Sequence, residues 1–158
     1  HRSHDRLNQI MAEVSTRYDT VEDLMAHSFE EINKDNTYVR SALKMMLTEG
    51  VPEPEGDIKE AFEKTMGPPG SEYINKVLKK QLPVDVGDGA MFWAVKCLFA
   101  DLIHWSLMCS SSKYELMKKK MPALGHESIM HSMRTHAKAI REYLEKNHED
   151  LERDFKPC

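Results

Sequence analysis

The residues whose types could support metal chemistry are three histidines in the carboxyl-terminal third, His126, His131 and His136. Imidazole nitrogens bind zinc and iron when three or four donors converge on one point. On a helix, however, a step of five residues turns the side chain through about 140°, so these rings point in different directions. We therefore expect solvated histidines rather than a metal site, and the sequence predicts no cofactor.

Nucleophilic catalysis would need a cysteine or serine next to a base. Cys97 and Cys109 lie on a strongly apolar stretch, where cysteine usually behaves as a small buried hydrophobic residue. The sequence contains neither a glycine-rich phosphate loop nor a nucleophile elbow. His27 and Glu30 have the spacing of a di-iron ligand pair, but the matching pairs on other helices are missing. We predict that the protein is not an enzyme.

Two charged residues, Lys96 and Asp101, interrupt the same apolar stretch. They are five residues apart, which is not an ideal spacing for a mutual ion pair on a helix. A buried charge without a partner costs several kcal/mol. Each is therefore expected to find a partner on another helix or to open onto a groove, and the alternative is that both extend to the rim of the bundle.

The stretch that carries these charges, residues 88–109, reads DGAMFWAVKCLFADLIHWSLMC and is apolar on nearly every side. Such a helix is either the core of a bundle or inserted in a membrane. A spanning helix needs about 20 predominantly apolar residues with few or no charges, whereas Lys96 and Asp101 lie near the middle of this run. We predict a soluble core helix over about 89–109, with Asp88 as its N-cap, Trp105 fully buried and no transmembrane segment.

Helical periodicity predicts the other elements around this helix. A heptad seam runs from Leu7 to Ile32, with a capping pattern at Thr20 and Asp23 that could interrupt it. Further helices are predicted from Asn36 to Gly50, from Asp57 to Met66, from Ser71 to Pro83, from Ser112 to Met121, and from about His126 onward. The fold class is therefore all-α, a single domain over residues 1–158 with six or seven helices around 89–109.

Charge and cysteine content give weaker expectations. The net charge of −4 and a pI near 6.1 argue against a nucleic-acid partner. A local basic patch remains possible, since Lys118, Lys119 and Lys120 form an exposed run. An odd number of cysteines and the lack of an N-glycosylation sequon favour an intracellular location. Secretion stays open because the chain does not begin with methionine.

Eleven methionines are many for this length. Thioether side chains adapt to differently shaped apolar partners, so a methionine-rich groove that includes Met45 and Met46 would suit protein binding, although methionine more often fills a core. Near the start of the central helix, Phe92 and Trp93 could anchor a partner while Lys96 selects an acidic residue on it. The seam over residues 7–32 could alternatively form a homodimer.

A short run at the start of the central helix resembles a known family. Asp88, Gly89 and Trp93 have the spacing of the first part of the BH1 motif of Bcl-2 proteins, DGxxNWGR. Phe92, Ala94 and Val95 replace the asparagine, the second glycine and the arginine of that motif. The resemblance implies a groove that receives an amphipathic helix, but without the arginine that pairs with the ligand's aspartate.

The sequence therefore favours a non-enzymatic interaction module that presents a hydrophobic groove or a dimer face to a protein partner. The alternatives are a carrier of a small hydrophobic ligand or lipid, in which the apolar side of 89–109 lines a cavity, and a Bcl-2-like helix-binding regulator.

Overall fold

A computed structural model describes residues 2–34, 41 and 70–156 of the chain, and these residues form helices and turns without a strand. The α-helices are α1 Arg2–Ser15, α2 Val21–Ile32, α3 Ser71–Gln81, α4 Asp88–Cys109, α5 Tyr114–Lys120 and α6 His126–Asp154, and a 3-10 turn spans Pro122–Leu124. The predicted all-α bundle is thereby confirmed. The helices expected between 36 and 66, and with them Met45 and Met46, lie outside the described residues, and the single domain over 1–158 stays a prediction.

The longest helix, α6, packs along both α2 and α4. Its contacts with α2 run from Glu22, which accepts a hydrogen bond from Arg141 at 2.8 Å, to Phe29, whose ring meets His126 edge to face at 5.5 Å. Residue numbers therefore rise along α2 while they fall along α6, and the two helices are antiparallel. Helices α4 and α6 are also antiparallel, because Ala90 bonds to Glu152 while Asp101 contacts His136.

The seam over residues 7–32 forms two helices separated by a turn. Thr20 is the N-cap of α2, and its hydroxyl oxygen accepts a hydrogen bond from the backbone N–H of Asp23 at 3.2 Å, which is the capping pattern read from the sequence. The seam side chains that are buried in the chain's own core are Leu7, Met11, Val14, Val21, Met25 and Ile32. The homodimer stays a prediction, and it would have to use a different surface.

A polar network fixes the amino end of α2 to its neighbours. The side-chain oxygen of Gln81, at the end of α3, accepts from the backbone N–H of Val21 at 2.7 Å, and its amide nitrogen donates to Glu22 at 3.2 Å. Glu22 also pairs with Arg141 of α6, and both side chains are mostly covered. Three helices are therefore held in register by one carboxylate, which is why an acidic residue is tolerated there.

Gly70 shows why the chain needs glycine before α3. Its φ is +85°, and an added Cβ atom would overlap the sulfur of Met11. Its backbone N–H donates to the side chain of Asn8 at 2.8 Å, so the turn is tied to α1 and cannot shift freely.

We therefore expect Gly70→Ala to destabilise the protein. The left-handed backbone alone costs a residue with a Cβ atom about 1–3 kcal/mol, and the contact with Met11 adds to it. Urea denaturation of the two proteins measures the difference in free energy of unfolding. A difference below about 0.5 kcal/mol, the range of ordinary surface substitutions, would contradict the packing of α1 against this turn.

The amino end of α4 differs from the prediction. Asp88 is the first residue of the helix, and Gly87, which has no side chain, occupies the N-cap position. The backbone N–H of Ala90 instead donates to the carboxylate of Glu152, near the end of α6, at 2.8 Å. An added Cβ atom on Gly89 would collide with Phe155, which follows α6. The carboxyl end of α6 therefore docks on the first turn of α4.

Helix α4 is also less enclosed than predicted. Only 39% of its most apolar window is buried, and one side of the helix remains partly open. Trp105 is half-buried rather than fully buried, and its indole Nε1 lacks a hydrogen-bond partner among the described residues. By length and composition alone α4 could cross a membrane, as core helices of soluble proteins also could. The lack of a transmembrane segment stays a prediction.

Candidate functional site

The open side of α4 faces a groove that α6 completes. Its volume is about 500 Å³, and it is open to solvent along its length. The lining residues are Cys97, Ala100, Asp101 and His104 from α4 and His136, Ala139 and Ile140 from α6. We call this surface the α4–α6 groove. It follows from the spacing of three and four residues on each helix, which places these side chains on one face.

A contact between His136 and Asp101 joins the two walls of the groove. Nδ1 of His136 lies 3.2 Å from a carboxylate oxygen of Asp101, and it donates the hydrogen bond when that nitrogen carries the proton. The Asp101 side chain is 21% exposed, so its charge is partly withdrawn from water and is satisfied across the helix interface. The prediction that Asp101 finds a partner on another helix is confirmed. His136 is 51% exposed, as expected of a solvated histidine, and it contacts Asp101 as well.

Cys97 contributes an apolar surface to the groove rather than a nucleophile. It is half-buried and free of a disulfide. Burial raises the pKa of the Cys97 thiol, because a thiolate loses hydration there. The protonated thiol is a poor nucleophile near neutral pH, so this contact surface offers packing and little reactivity.

An aromatic pair lies between the same two helices, outside the groove lining. Trp93 and Tyr143 lie one helical turn beyond Cys97 and Ile140, and their ring centroids are 5.1 Å apart. Tyr143 is 51% exposed, and Trp93 is half-buried against the core. Large amphipathic rings of this kind are enriched where proteins bind one another.

Lys96 lies on α4, one turn before Ala100 and outside the groove lining. It is exposed, and its ammonium group is 5.1 Å above the ring of Phe92, so the aromatic face orients it. No carboxylate of the described residues forms an ion pair with it. An exposed positive charge is therefore present on α4, next in sequence to Cys97 of the groove.

The predicted site residues are only partly brought together. Phe92, Trp93 and Lys96 are not among the residues that line the groove. Trp93 and Lys96 lie within about one turn of Cys97, whereas Phe92 turns toward Phe155, with 6.1 Å between the ring centroids. A step of one residue on a helix rotates the side chain by about 100°, which separates Phe92 from Trp93. The α6 wall was missed, because nothing in the sequence alone indicates which residues of α6 face α4.

No methionine within residues 2–34 or 70–156 lines this groove. Five of the eleven methionines are core residues with 4% exposure or less, and they are Met11, Met25, Met91, Met130 and Met133. They fill space between helices, which is the usual role of this flexible side chain. The methionine-rich character of the predicted surface stays a prediction that depends on Met45 and Met46.

A second polar cluster lies between α2 and α6. His27 stacks on Tyr18 with 4.0 Å between ring centroids, and its two ring nitrogens lie 3.2 Å from Glu30 and 3.2 Å from Arg134. Arg134 also pairs with Asp23 at 3.1 Å. Because the guanidinium can only donate, Nε2 of His27 accepts and Nδ1 donates to Glu30. These groups satisfy one another, and the cluster joins the helices.

Comparisons of the chain with known protein families, with curated proteins and with solved structures found no match. The resemblance to the BH1 motif therefore rests on Asp88, Gly89 and Trp93 alone. Local packing accounts for two of these residues, since Gly89 lies against Phe155 and Trp93 against Tyr143.

Proposed function

We propose that this protein is a non-enzymatic interaction module whose α4–α6 groove binds an amphipathic helix of a partner protein. The observation that carries this proposal is that α4, which has the most apolar sequence in the chain, leaves Ala100 exposed and Trp93 half-buried beside an open groove. Contiguous apolar surface that a chain leaves open often marks a binding site.

The dimensions of the groove suit a helix. The groove runs from Cys97 to His104 on α4, which corresponds to about 10 Å, or about two turns, at the helical rise of 1.5 Å per residue. A partner helix of that length places two or three apolar side chains along the floor at helical spacing. The antiparallel helices α4 and α6 lie on either side of such a row.

The charges select among such helices. Asp101 already has a hydrogen-bond partner in His136, whereas Lys96 has no ion-pair partner in the described part of the chain. We therefore infer that the partner helix carries an acidic residue at the edge of its apolar face, where it pairs with Lys96. Charge complementarity of this kind raises the association rate and sets the register of binding.

Reversing this charge tests the proposal. We expect Lys96→Glu to retain the fold, because the side chain is exposed. It should weaken binding to a partner recovered from the native source by about 1 kcal/mol or more, roughly fivefold, and alter the salt dependence of binding. Isothermal titration at two salt concentrations measures both effects.

Lys76→Glu is the matched control, since Lys76 is exposed on α3 and the net charge changes equally. The groove at this position should be abandoned if Lys96→Glu unfolds the domain, leaves affinity unchanged, or weakens binding no more than Lys76→Glu does.

The competing functions give different results in one experiment. Native mass spectrometry of the purified protein would detect a co-purified lipid if the protein were a carrier, and a stable dimer if a second copy occupied the groove. The proposal expects a monomer without bound lipid, because the groove is open along its length and does not enclose a ligand as a carrier cavity does.

A further inference from the structure

A second surface of the molecule combines positive charge with exposed apolar side chains. Helix α5 and its flanking residues, 113–121, contain Leu116 and Met121, which are 55% and 56% exposed. These are two of the four large hydrophobic residues that are exposed within the described ranges. Lys113, Lys119 and Lys120 are also exposed. We call these five residues the α5 patch.

The chain's own contacts direct this patch outward. Tyr114, on the opposite side of α5, is buried, and its hydroxyl donates to the backbone oxygen of Leu124 at 2.7 Å. Burial raises the pKa of Tyr114, so the phenol remains a hydrogen-bond donor at neutral pH. The short helix is therefore fixed by its inner side, and Leu116 stays in solvent.

The charge of this segment opposes that of the whole chain. Residues 113–121 contain four lysines and one glutamate, which gives a net charge of +3, whereas the whole chain carries −4. Lys118 pairs with Glu115 at 3.0 Å and lies over the ring of Tyr114. The other three lysines form no ion pair with the described residues, so they remain available to an anionic surface.

We propose that the α5 patch binds the surface of a membrane that contains acidic phospholipids. Lysines at such a surface are attracted by the negative potential of the headgroups. Leu116 and Met121 would enter the boundary between headgroups and acyl chains, as the apolar residues of interfacial helices do. This inference goes beyond the proposed function, since it uses a different surface from the α4–α6 groove.

The side chains of the patch favour a lipid surface over nucleic acid. Single-stranded nucleic acids are bound by lysine and arginine together with aromatic rings on which bases stack. The aromatic ring of this segment, Tyr114, is buried. Exposed aliphatic side chains among the lysines are stabilised when they enter the apolar part of a bilayer.

Vesicle sedimentation tests the proposal with the full chain. Vesicles of phosphatidylcholine alone are compared with vesicles in which about one third of the lipid is phosphatidylserine. The expected result is binding to the phosphatidylserine vesicles only, with a bound fraction that falls as sodium chloride is raised, because salt screens the attraction.

Two variants separate the contributions of charge and apolar contact. Lys119→Glu with Lys120→Glu should weaken binding by at least about thirtyfold, as expected for two lysines near an anionic surface. Leu116→Ser with Met121→Ser should also weaken binding, while the salt dependence remains. All four side chains are exposed, so unchanged thermal melting should accompany both results.

The matched control is Lys79→Glu with Lys80→Glu. These lysines are exposed in the last turn of α3, as Lys119 and Lys120 are in the last turn of α5. Equal binding to both kinds of vesicle, or equal loss in the control, would overturn the proposal. Unchanged vesicle binding by the variant Leu116→Ser with Met121→Ser would also overturn it. The patch would then make only ionic contacts, which an acidic protein could provide equally well.

Discussion

Replacing Phe29 with alanine should lower the free energy of unfolding by about 3–5 kcal/mol, the usual cost of removing a fully buried phenylalanine. Phe29 is 0% exposed and lies on α2. Its ring meets His126, at the start of α6. The cavity left by alanine would lie between the two helices that make the largest contact in the described structure, where α6 cannot collapse inward without losing its contacts with α4.

Chemical denaturation followed by circular dichroism measures this loss. Phe92→Ala is the matched control, because the same side chain is removed from a half-buried position at the start of α4. The control should cost clearly less, since part of the Phe92 ring is already in water. If Phe29→Ala cost no more than Phe92→Ala, the packing of α2 on α6 would be wrong.

Filling the α4–α6 groove should abolish most partner binding. Ala100 is exposed and lines the groove, so Ala100→Arg adds a long charged side chain where we place the partner's apolar row. Blocking the centre of an interface costs about 2–4 kcal/mol, or roughly 30-fold to 1000-fold in affinity. The fold should be unaffected, because the arginine can extend into solvent when no partner is bound.

The control for this variant is Ala123→Arg, which changes an exposed alanine of the 3-10 turn in the same way. Titration of both variants with the recovered partner gives the comparison. An unchanged affinity for Ala100→Arg, with both proteins folded, would exclude the groove as the binding surface.

The fold class could be predicted because its signals are local. The Thr20 cap and the start of α6 at His126 depend on neighbouring residues and on apolar spacing. The N-cap of α4 was wrong for the opposite reason. Asp88 has the right type and position, but the carboxylate of Glu152, 62 residues away from Ala90, makes the bond.

The groove could not be predicted from the sequence, because it depends on contacts between two helices that are far apart in the chain. The apolar side of residues 88–109 led to the wrong prediction that Trp105 is fully buried. A helical projection shows which residues share one side of a helix, but it does not show which neighbouring element covers them. The charge at Asp101 signalled a partner on another helix, since burial of a lone carboxylate is costly. It did not identify His136, which lies 35 residues away.

Lys96 is exposed, as in the alternative that the sequence left open, because a lysine in an apolar helix must reach solvent or a counter-charge. Its role in partner binding stays a prediction. Phe92 was predicted to share a groove with Lys96. It lies away from the α4–α6 groove because its ring packs against Phe155.

A photo-reactive amino acid placed at position 100, with a second protein carrying it at position 123, reports where the partner lies. Both positions are exposed in the free protein, so both probes are equally accessible before binding. Binding in the α4–α6 groove predicts a crosslink from position 100 to the apolar face of a helical segment of the partner and none from position 123. A crosslink from position 123 alone, or equal yields from the two positions, would contradict binding in this groove.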